Sequence, residues 1–179
     1  HPFPTRRSSD LQALYWNLFS GALGHTYGCH PIWQMKTPGR EAVGLARNNW
    51  YDVLDLPGAW DLIHARRLIE SRPFLSRIPD QSMIKPAYFP ETDFVVASRG
   101  DGYAFVYFPT GLSADIILDK IGGSEIKASW YDPRTGQSKP AGKFPGKSIQ
   151  KFSPPSNGRG NDWVLVLDDA SKGFKEPGS

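Results

Sequence analysis

Residues 99–111 read Arg-Gly-Asp-Gly-Tyr-Ala-Phe-Val-Tyr-Phe-Pro-Thr-Gly, an apolar run between two turn signals. Because side chains alternate along a strand, Tyr103, Phe105 and Tyr107 share one face, and the residues between them share the other. Both faces are apolar, so the run predicts a central strand that is covered on both sides. We interpret these aromatic side chains as core; a ligand-binding aromatic platform is the alternative.

Further segments with a period of two surround this strand. Short strands at a spacing of about 8–12 residues, separated by turn residues, indicate an antiparallel β-sandwich. One turn, Asp132–Gly136, has the Asp, Pro and Gly positions of a hairpin, and we interpret it as structural rather than catalytic. We place the sandwich at residues 86–170 and a disordered tail at 171–179. The predicted strands are Phe94–Ser98, Gly102–Phe108, Ala114–Asp119, Glu125–Tyr131, Gln137–Ala141, Ser148–Phe152 and Asp162–Asp168.

The residues before the sandwich follow a helical period. Leu14 and Leu18, four positions apart, predict a helix over Leu11–Leu23 with one buried face. A second helix is predicted at Gly58–Arg72. Between them, Gly24–Gly28 is short and bounded by glycines, which predicts a buried strand. The fold class predicted for the whole chain is an α+β composite.

Composition excludes several classes of protein. The 179 residues carry a net charge of +3 from scattered basic side chains, which does not favour binding to nucleic acid. No run approaches the roughly 18 apolar residues that a membrane helix needs, so we expect no membrane partner. The single Cys29 excludes an internal disulfide framework and a multi-cysteine zinc site. His25 and His30 have no third ligand nearby, so we expect neither a metal nor a cofactor.

The first eleven residues have an unusual sequence. Phe3–Leu11 matches the translation of one reading frame of a common short-read sequencing adapter, and the chain has no initiator Met. We therefore interpret residues 1–11 as derived from an adapter and expect the authentic sequence to begin near Gln12. A genuine polar linker is the alternative.

Two ordered sets of motifs resemble a known pair of domains. The first set resembles the end of an apiosidase-like catalytic domain: Gly24–Gly28, Ile32–Gln34, Leu54–Ala59, Glu70–Pro73 and Ile78–Ser82. The second set resembles the "putative collagen-binding domain of a collagenase" that usually follows it: Asp101–Tyr103, Tyr107–Gly111, Trp130–Gly136 and Asp162–Leu167. Together the motifs extend from Gln12 to about Asp169.

The resemblance implies a barrel fold for the first part. Apiosidase-like domains are similar to (β/α)8 barrel glycoside hydrolases, and such a barrel needs about 250 residues. Residues 12–85 would be its C-terminal remnant, with the seventh helix, the eighth strand at Gly24–Gly28 and the eighth helix. Active sites of barrels lie at the C-terminal ends of strands. The segment that follows Tyr27 would therefore overlook the substrate pocket.

Glycoside hydrolysis normally requires two carboxyl groups about 5–10 Å apart. The family's pair lies on earlier barrel strands, and residues 24–34 contain neither Asp nor Glu. No catalytic residue can be assigned, so we expect this fragment to be inactive. Trp33 could stack on a sugar, and His25 or Gln34 could bond hydroxyl groups; alternatively, His25 and Tyr27 pack inside the barrel. The substrate-binding candidates are His25, Tyr27, His30, Trp33 and Gln34.

Two functions follow from these observations. The first is a fragment of a secreted or periplasmic glycoside hydrolase that acts on plant or complex glycan side chains, with the sandwich as an accessory unit. Its partner would be the glycan substrate of the parent enzyme. The second is a stand-alone β-sandwich module that binds carbohydrate or collagen. The collagen name is inherited from the family, and no residue pattern here indicates collagen affinity. No oligomeric state is predicted.

Overall fold

The computed structural model describes residues 7–44 and 46–179, within which three helices precede eight strands. Short 3₁₀ turns connect several of them. This is the α+β arrangement predicted from the sequence. The helices are α1 (Arg7–Phe19), α2 (His30–Trp33) and α3 (Pro57–Glu70). The strands are β1 (Ile78–Pro79), β2 (Val96–Gly100), β3 (Tyr103–Phe108), β4 (Ala114–Ile117), β5 (Glu125–Tyr131), β6 (Ser138–Pro145), β7 (Ile149–Phe152) and β8 (Trp163–Asp169).

The strands form two antiparallel sheets. A six-stranded sheet has the order β1-β2-β3-β8-β5-β6, and β4 pairs with β7 in a two-stranded sheet. β3 lies between β2 and β8, with Val106 opposite both Ala97 and Leu165. All residues of β3 are buried. The predicted central strand is therefore confirmed, and its two apolar faces are explained by the layers that cover it.

An apolar core joins the two sheets face to face. Val106 and Phe108 of β3 contribute to it together with Ile116 of β4 and Phe152 of β7. Trp130 of β5 meets Phe108 edge to face, with ring centroids 5.3 Å apart. Burying one such side chain stabilises the fold by about 1.5–3 kcal/mol. These contacts make the unit a sandwich, and its aromatic side chains are core.

The opposite face of the six-stranded sheet is covered by α1 and α3. Leu11, Tyr15 and Phe19 recur every four residues on α1, so they face the sheet together. The ring of Tyr15 stacks on Tyr107 at 5.1 Å, and that of Phe19 stacks on Phe105 at 5.6 Å. The molecule is therefore built in three layers: helices, six-stranded sheet and two-stranded sheet.

Polar contacts also fasten the helix layer to the sheet. Arg72, just after α3, donates to both oxygens of Asp168 on β8 at 2.8 and 2.7 Å. Both side chains of this pair are buried. The hydroxyl of Tyr131 on β5 donates to the carbonyl of His64 on α3 at 2.8 Å. The sheet thus shares both apolar and charged contacts with the helices.

α1 ends earlier than its sequence pattern predicts, at Phe19 instead of Leu23. Gly21 follows it with a positive φ of 98°, a conformation that glycine adopts at little cost. A Cβ at this position would lie 2.9 Å from Cγ of Pro79 on β1. The close approach of helix end and strand therefore requires glycine.

The predicted buried strand at Gly24–Gly28 is wrong for this structure. These residues lie outside any strand and are exposed or half-buried. A strand needs a neighbour to satisfy its backbone hydrogen bonds, and none of the described strands lies beside this segment. Its composition suits a strand, but its surroundings supply no partner.

The predicted disordered tail at 171–179 also differs from the structure. A 3₁₀ turn forms at Ala170–Lys172, and Pro177 is buried. The ring of Phe174 meets Tyr103 edge to face at 6.1 Å, and the guanidinium of Arg72 lies 4.8 Å from the Phe174 ring centroid. Polar composition predicted disorder, but one aromatic ring anchors the segment on the helix-facing side of the sheet.

The predicted adapter segment lies only partly within the described residues. Residues 1–6 are outside them, while Arg7 begins α1 and Leu11 is buried against the sheet. Among the described residues, no helix is both long and apolar enough to cross a membrane.

Candidate functional site

The segment between α1 and α3 carries the five predicted substrate-binding residues, and the structure divides them between two places. His30, Trp33 and Gln34 lie on α2 or directly after it. His25 and Tyr27 lie before α2, outside any helix or strand. Among the five, His30 and Trp33 are in ring contact.

α2 presents an exposed tryptophan beside a histidine. The carbonyl of Cys29 accepts hydrogen bonds from the backbone N–H groups of Ile32 and Trp33, and Pro31 occupies the first turn. His30 and Trp33 are three positions apart on the same side of the helix, with perpendicular rings whose centroids are 5.9 Å apart. Trp33 is 60% exposed, so one apolar ring face is available to a ligand. Nδ1 of His30 is buried and has no hydrogen-bond partner.

Gln34 holds the loop that follows α2. Its Nε2 donates to the carbonyl of Val43 at 2.9 Å, and its Oε1 accepts from the Val43 N–H at 2.9 Å. The residue is only 7% exposed. Its amide therefore fixes the position of a backbone segment nine residues away, and its predicted contact with sugar hydroxyl groups stays a prediction.

Two further aromatic residues lie beside α2. A 3₁₀ turn at Trp50–Val53 packs against it, and the Trp50 N–H donates to the carbonyl of Lys36 at 2.9 Å. The rings of Trp50 and Tyr51 meet edge to face at 5.7 Å, and Tyr51 is exposed. We name residues 29–56, which carry these rings with His30 and Trp33, the aromatic loop. Sequence reasoning missed Trp50 and Tyr51, although an adjacent aromatic pair in an irregular segment was a usable signal.

His25 and Tyr27 have different surroundings. His25 lines a groove of about 510 Å³ between α1, α3 and β1. Tyr27 lies against the start of α3, where a Cβ on Gly58 would be 3.1 Å from its ring.

The acidic residues of the aromatic loop are Glu41, Asp52 and Asp55, all outside the stretch that was expected to overlook a substrate pocket. Residues 24–34 contain neither Asp nor Glu, and Asp52 is bonded to the backbone and side chain of Asn49. Within the described part of the chain, no three His, Cys, Asp or Glu residues are grouped so that they could hold a metal ion. Cys29 is a free, half-buried thiol.

A buried carboxyl group lies elsewhere, in the helix–sheet layer. The hydroxyl of Tyr107 donates to Oδ2 of Asp162 at 2.7 Å, while Oδ1 has no partner. Burial raises the pKa of Asp162, and it raises the pKa of Tyr107 well above its ordinary value. Because Asp162 is fully shielded from solvent, it has no access to a substrate. Sequence reasoning did not identify this pair.

The turn at Asp132–Gly136 has the structural role that its sequence predicts. Arg134 donates from Nε and Nη2 to the two oxygens of Asp132 at 2.8 and 2.9 Å. The N–H of Gly136 donates to the Asp132 carbonyl, and Gly136 has a positive φ of 71°. The carboxylate and guanidinium are therefore both used within the hairpin.

Two families match this chain in tandem. The family "Putative collagen-binding domain of a collagenase" matches residues 78–168. The family "Apiosidase-like, catalytic domain" matches residues 6–76. The order is the one that the sequence motifs predict.

Solved glycoside hydrolases have the same fold over this region. One structure, described as a glycoside hydrolase, is 34% identical over 92% of this chain, with a TM-score of 0.88. A glycoside hydrolase family 5 structure from Bacteroides vulgatus ATCC 8482 is 32% identical over 99% of this chain, with a TM-score of 0.89. The chain spans 37% and 39% of the lengths of these two proteins. No curated protein matches the chain significantly.

Proposed function

The chain belongs to the family "Putative collagen-binding domain of a collagenase", and we propose that it is the C-terminal part of a glycoside hydrolase with an apiosidase-like catalytic domain. In this proposal, residues 7–76 close the catalytic barrel and the sandwich supports them as an accessory unit. The aromatic loop contacts the glycan. The parent enzyme acts on plant or complex glycan side chains and is secreted or periplasmic.

One observation carries this proposal. The match to a catalytic-domain family at residues 6–76 is continuous with the sandwich, and glycoside hydrolases align with both parts together over 92% and 99% of the chain. The shared core of α1, α3 and β3 is consistent with this, because it makes the two parts one body. An accessory sandwich that braces a catalytic domain would need such a contact.

This chain by itself should not hydrolyse glycans. Hydrolysis needs a proton donor and a nucleophile or base on opposite sides of the glycosidic bond. The aromatic loop offers Trp33 and Tyr51 as apolar surfaces, and the segment expected to overlook the pocket, residues 24–34, contains neither Asp nor Glu. The parent's acid pair would come from barrel strands that precede this chain.

The test compares two polypeptides, the 179-residue chain and the longer reading frame that contains it. Release of aglycone from an aryl apioside and of reducing sugar from plant cell-wall glycan is measured for both. We expect activity from the longer protein and none from the chain. A longer protein that is folded but inactive on both substrates, or a chain as active as the longer protein, would refute the proposal.

A substitution locates the glycan contact. In the longer protein, Trp33→Ala should raise KM about threefold to tenfold, because it removes one stacking surface. Tyr88→Ala is the control, since Tyr88 is equally aromatic and 90% exposed but lies between β1 and β2, outside the aromatic loop. Equal effects of the two substitutions would show that the aromatic loop does not contact the glycan.

A second function is a binding module for carbohydrate or collagen. The observation that favours it is the family match over residues 78–168. Against it, the aromatic side chains of β3, β5 and β8 lie in the two cores and form no exposed platform. Pull-down of the chain with fibrillar collagen and with insoluble cell-wall glycan tests it directly. Saturable binding to either material, with no hydrolase activity from the longer protein, would favour this function over the first.

A further inference from the structure

The groove that His25 lines has mainly aliphatic walls. It opens between α1, α3 and β1 and encloses about 510 Å³. Leu23 at its rim is fully exposed and Leu75 is 92% exposed, although both are large apolar side chains. Concave apolar surface of this kind usually receives another molecule or segment. Wall residues include Leu14, Leu18, Leu23, Leu62, Ile69 and Leu75.

Two residues of the groove lining, Arg77 and Ser98, carry buried hydrogen-bond donors that have no acceptor among the described residues. Nη1 of Arg77 and Oγ of Ser98 are both buried and have no hydrogen-bond partner. Nη2 of Arg77 reaches the Leu18 carbonyl at 3.3 Å, which leaves the other nitrogen unused. A buried donor without an acceptor costs about 1–3 kcal/mol, so an acceptor brought into the groove would be favoured.

Arg77 also lacks a counter-ion within the described residues. The acidic residue that lines the same groove, Glu70, accepts a hydrogen bond from Arg66 at 2.8 Å. The guanidinium of Arg77 lies 5.5 Å from the ring centroid of Phe19, and partial burial lowers its pKa. A half-buried cation among aliphatic side chains is complementary to a carboxylate carried on an apolar segment.

We propose that this groove seats the part of the hydrolase that precedes this chain, and that this part supplies a carboxylate to Arg77. The inference rests on the proposed function above. The solved neighbours are more than twice as long as this chain, which spans 37% and 39% of them. Gly24–Gly28 runs from the groove at Leu23 and His25 with the composition of a strand but without a partner strand. A preceding strand beside it would bring apolar side chains towards the groove.

The chemistry of the groove is tested first on the 179-residue chain. Hexanoate is the probe, 1-hexanol is its neutral control, and binding is followed by the ring resonances of His25. We expect hexanoate to bind about tenfold more tightly than hexanol, and Arg77→Met to remove that preference. Arg66→Met is the matched control, since Arg66 lines the same groove but is paired with Glu70. Ser98→Ala, which should weaken hexanoate binding severalfold, replaces Arg77→Met if that variant does not fold.

The occupant is tested on the longer protein. There we expect hexanoate to leave the ring resonances of His25 unchanged, because the preceding part of the protein already fills the groove. Leu75→Asp should lower the thermal unfolding temperature of the longer protein much more than that of the chain. Ile149→Asp, at an exposed apolar position of β7, should affect both proteins equally.

Several results would overturn this inference. Equal affinities of the chain for hexanoate and hexanol would show that Arg77 does not bind a carboxylate in the groove. Hexanoate binding to the longer protein would identify an open site for small acids instead. A dimer of the chain that Leu75→Asp dissociates, together with an open groove in the longer protein, would identify a second copy as the occupant. Hydrolase activity is measured separately, so an active longer protein with an open groove would refute this inference and leave the proposed function standing.

Discussion

Arg72 and Asp168, 96 positions apart in the chain, form a buried ion pair with two hydrogen bonds of 2.8 and 2.7 Å. Arg72 follows the last turn of α3, and Asp168 lies on β8 in the middle of the six-stranded sheet. Both side chains are almost completely shielded from water. The pair is therefore a charged contact across the boundary between the segments that match two different families.

Removing one partner of this pair should destabilise the whole chain. Arg72→Met leaves the Asp168 carboxylate buried without its cation, which typically costs about 3–5 kcal/mol of unfolding free energy. Urea denaturation followed by tryptophan fluorescence measures the loss. Arg66→Met is the control, because its exposed pair with Glu70 should contribute about 0.5 kcal/mol or less. Similar losses for the two variants would contradict the assigned role of the buried pair.

Loss of the hydroxyl group should lower the stability of the fold at Tyr107 but not at Tyr15, the residue stacked on it. Tyr107→Phe removes the side-chain hydrogen bond to Oδ2 of buried Asp162, and we expect a loss of about 2 kcal/mol. Tyr15→Phe removes a buried hydroxyl that has no partner, so stability should change by less than about 0.5 kcal/mol or rise slightly. Both variants keep the ring stack. Equal effects in thermal denaturation would show that the Tyr107–Asp162 bond contributes nothing specific.

Asp80 should contribute to acid stability. Partial burial opposes ionisation of its carboxyl group, but hydrogen bonds from Arg99 and Ser82 and the charge of Lys120 outweigh it and lower its pKa to about 2. A carboxyl group with a lowered pKa stabilises the fold above its ordinary value near 3.8, and this stabilisation is lost as the pH falls towards 2. Asp80→Asn should therefore flatten the decline in stability between pH 4 and about 2, by about 1 kcal/mol. Asp101→Asn, in an exposed pair with Lys172, should leave the decline unchanged; an unchanged decline in Asp80→Asn itself would contradict the prediction.

Asp162 should have the opposite dependence on pH. Burial raises its pKa, so its neutral form is the one that favours folding. That contribution is present below the ordinary carboxyl pKa and is lost as the pH rises through the raised value. Asp162→Asn, which stays neutral and can still accept from Tyr107, should become more stable relative to the native protein as the pH rises from 4 to 7. Denaturation curves at the two pH values test this, and a stability difference that does not grow with pH would contradict it.

The sequence predicted the fold where one local pattern decided the outcome. The alternation Tyr103–Phe108 required apolar cover on both faces, and β3 has it. The Asp, Pro and Gly positions of Asp132–Gly136 predicted a turn, and the hairpin forms there. The limits of α1 and α3 were off by one to four residues, because the packing of a helix end against a strand, as at Gly21 and Pro79, is not visible in periodicity.

Predictions from local sequence patterns were wrong where the structure of a segment depends on residues that are distant along the chain. Gly24–Gly28 has a strand composition, but pairing depends on what lies beside it. The apolar face of each helix predicted burial, but its pattern did not indicate that the sandwich would be the surface against which it packs. The tail was missed because a single ring, Phe174, anchors it.

The double-sided burial of β3 limits how this unit can be exchanged between proteins. Recombination often moves a β-sandwich as a cassette, with a cut in the connector before its first strand. A cut at that point here would leave Phe105 and Tyr107 facing water, because the rings stacked on them, Phe19 and Tyr15, are on α1. A transferable cassette therefore has to begin upstream of α1, and the two helices should travel with the sandwich when the gene is rearranged.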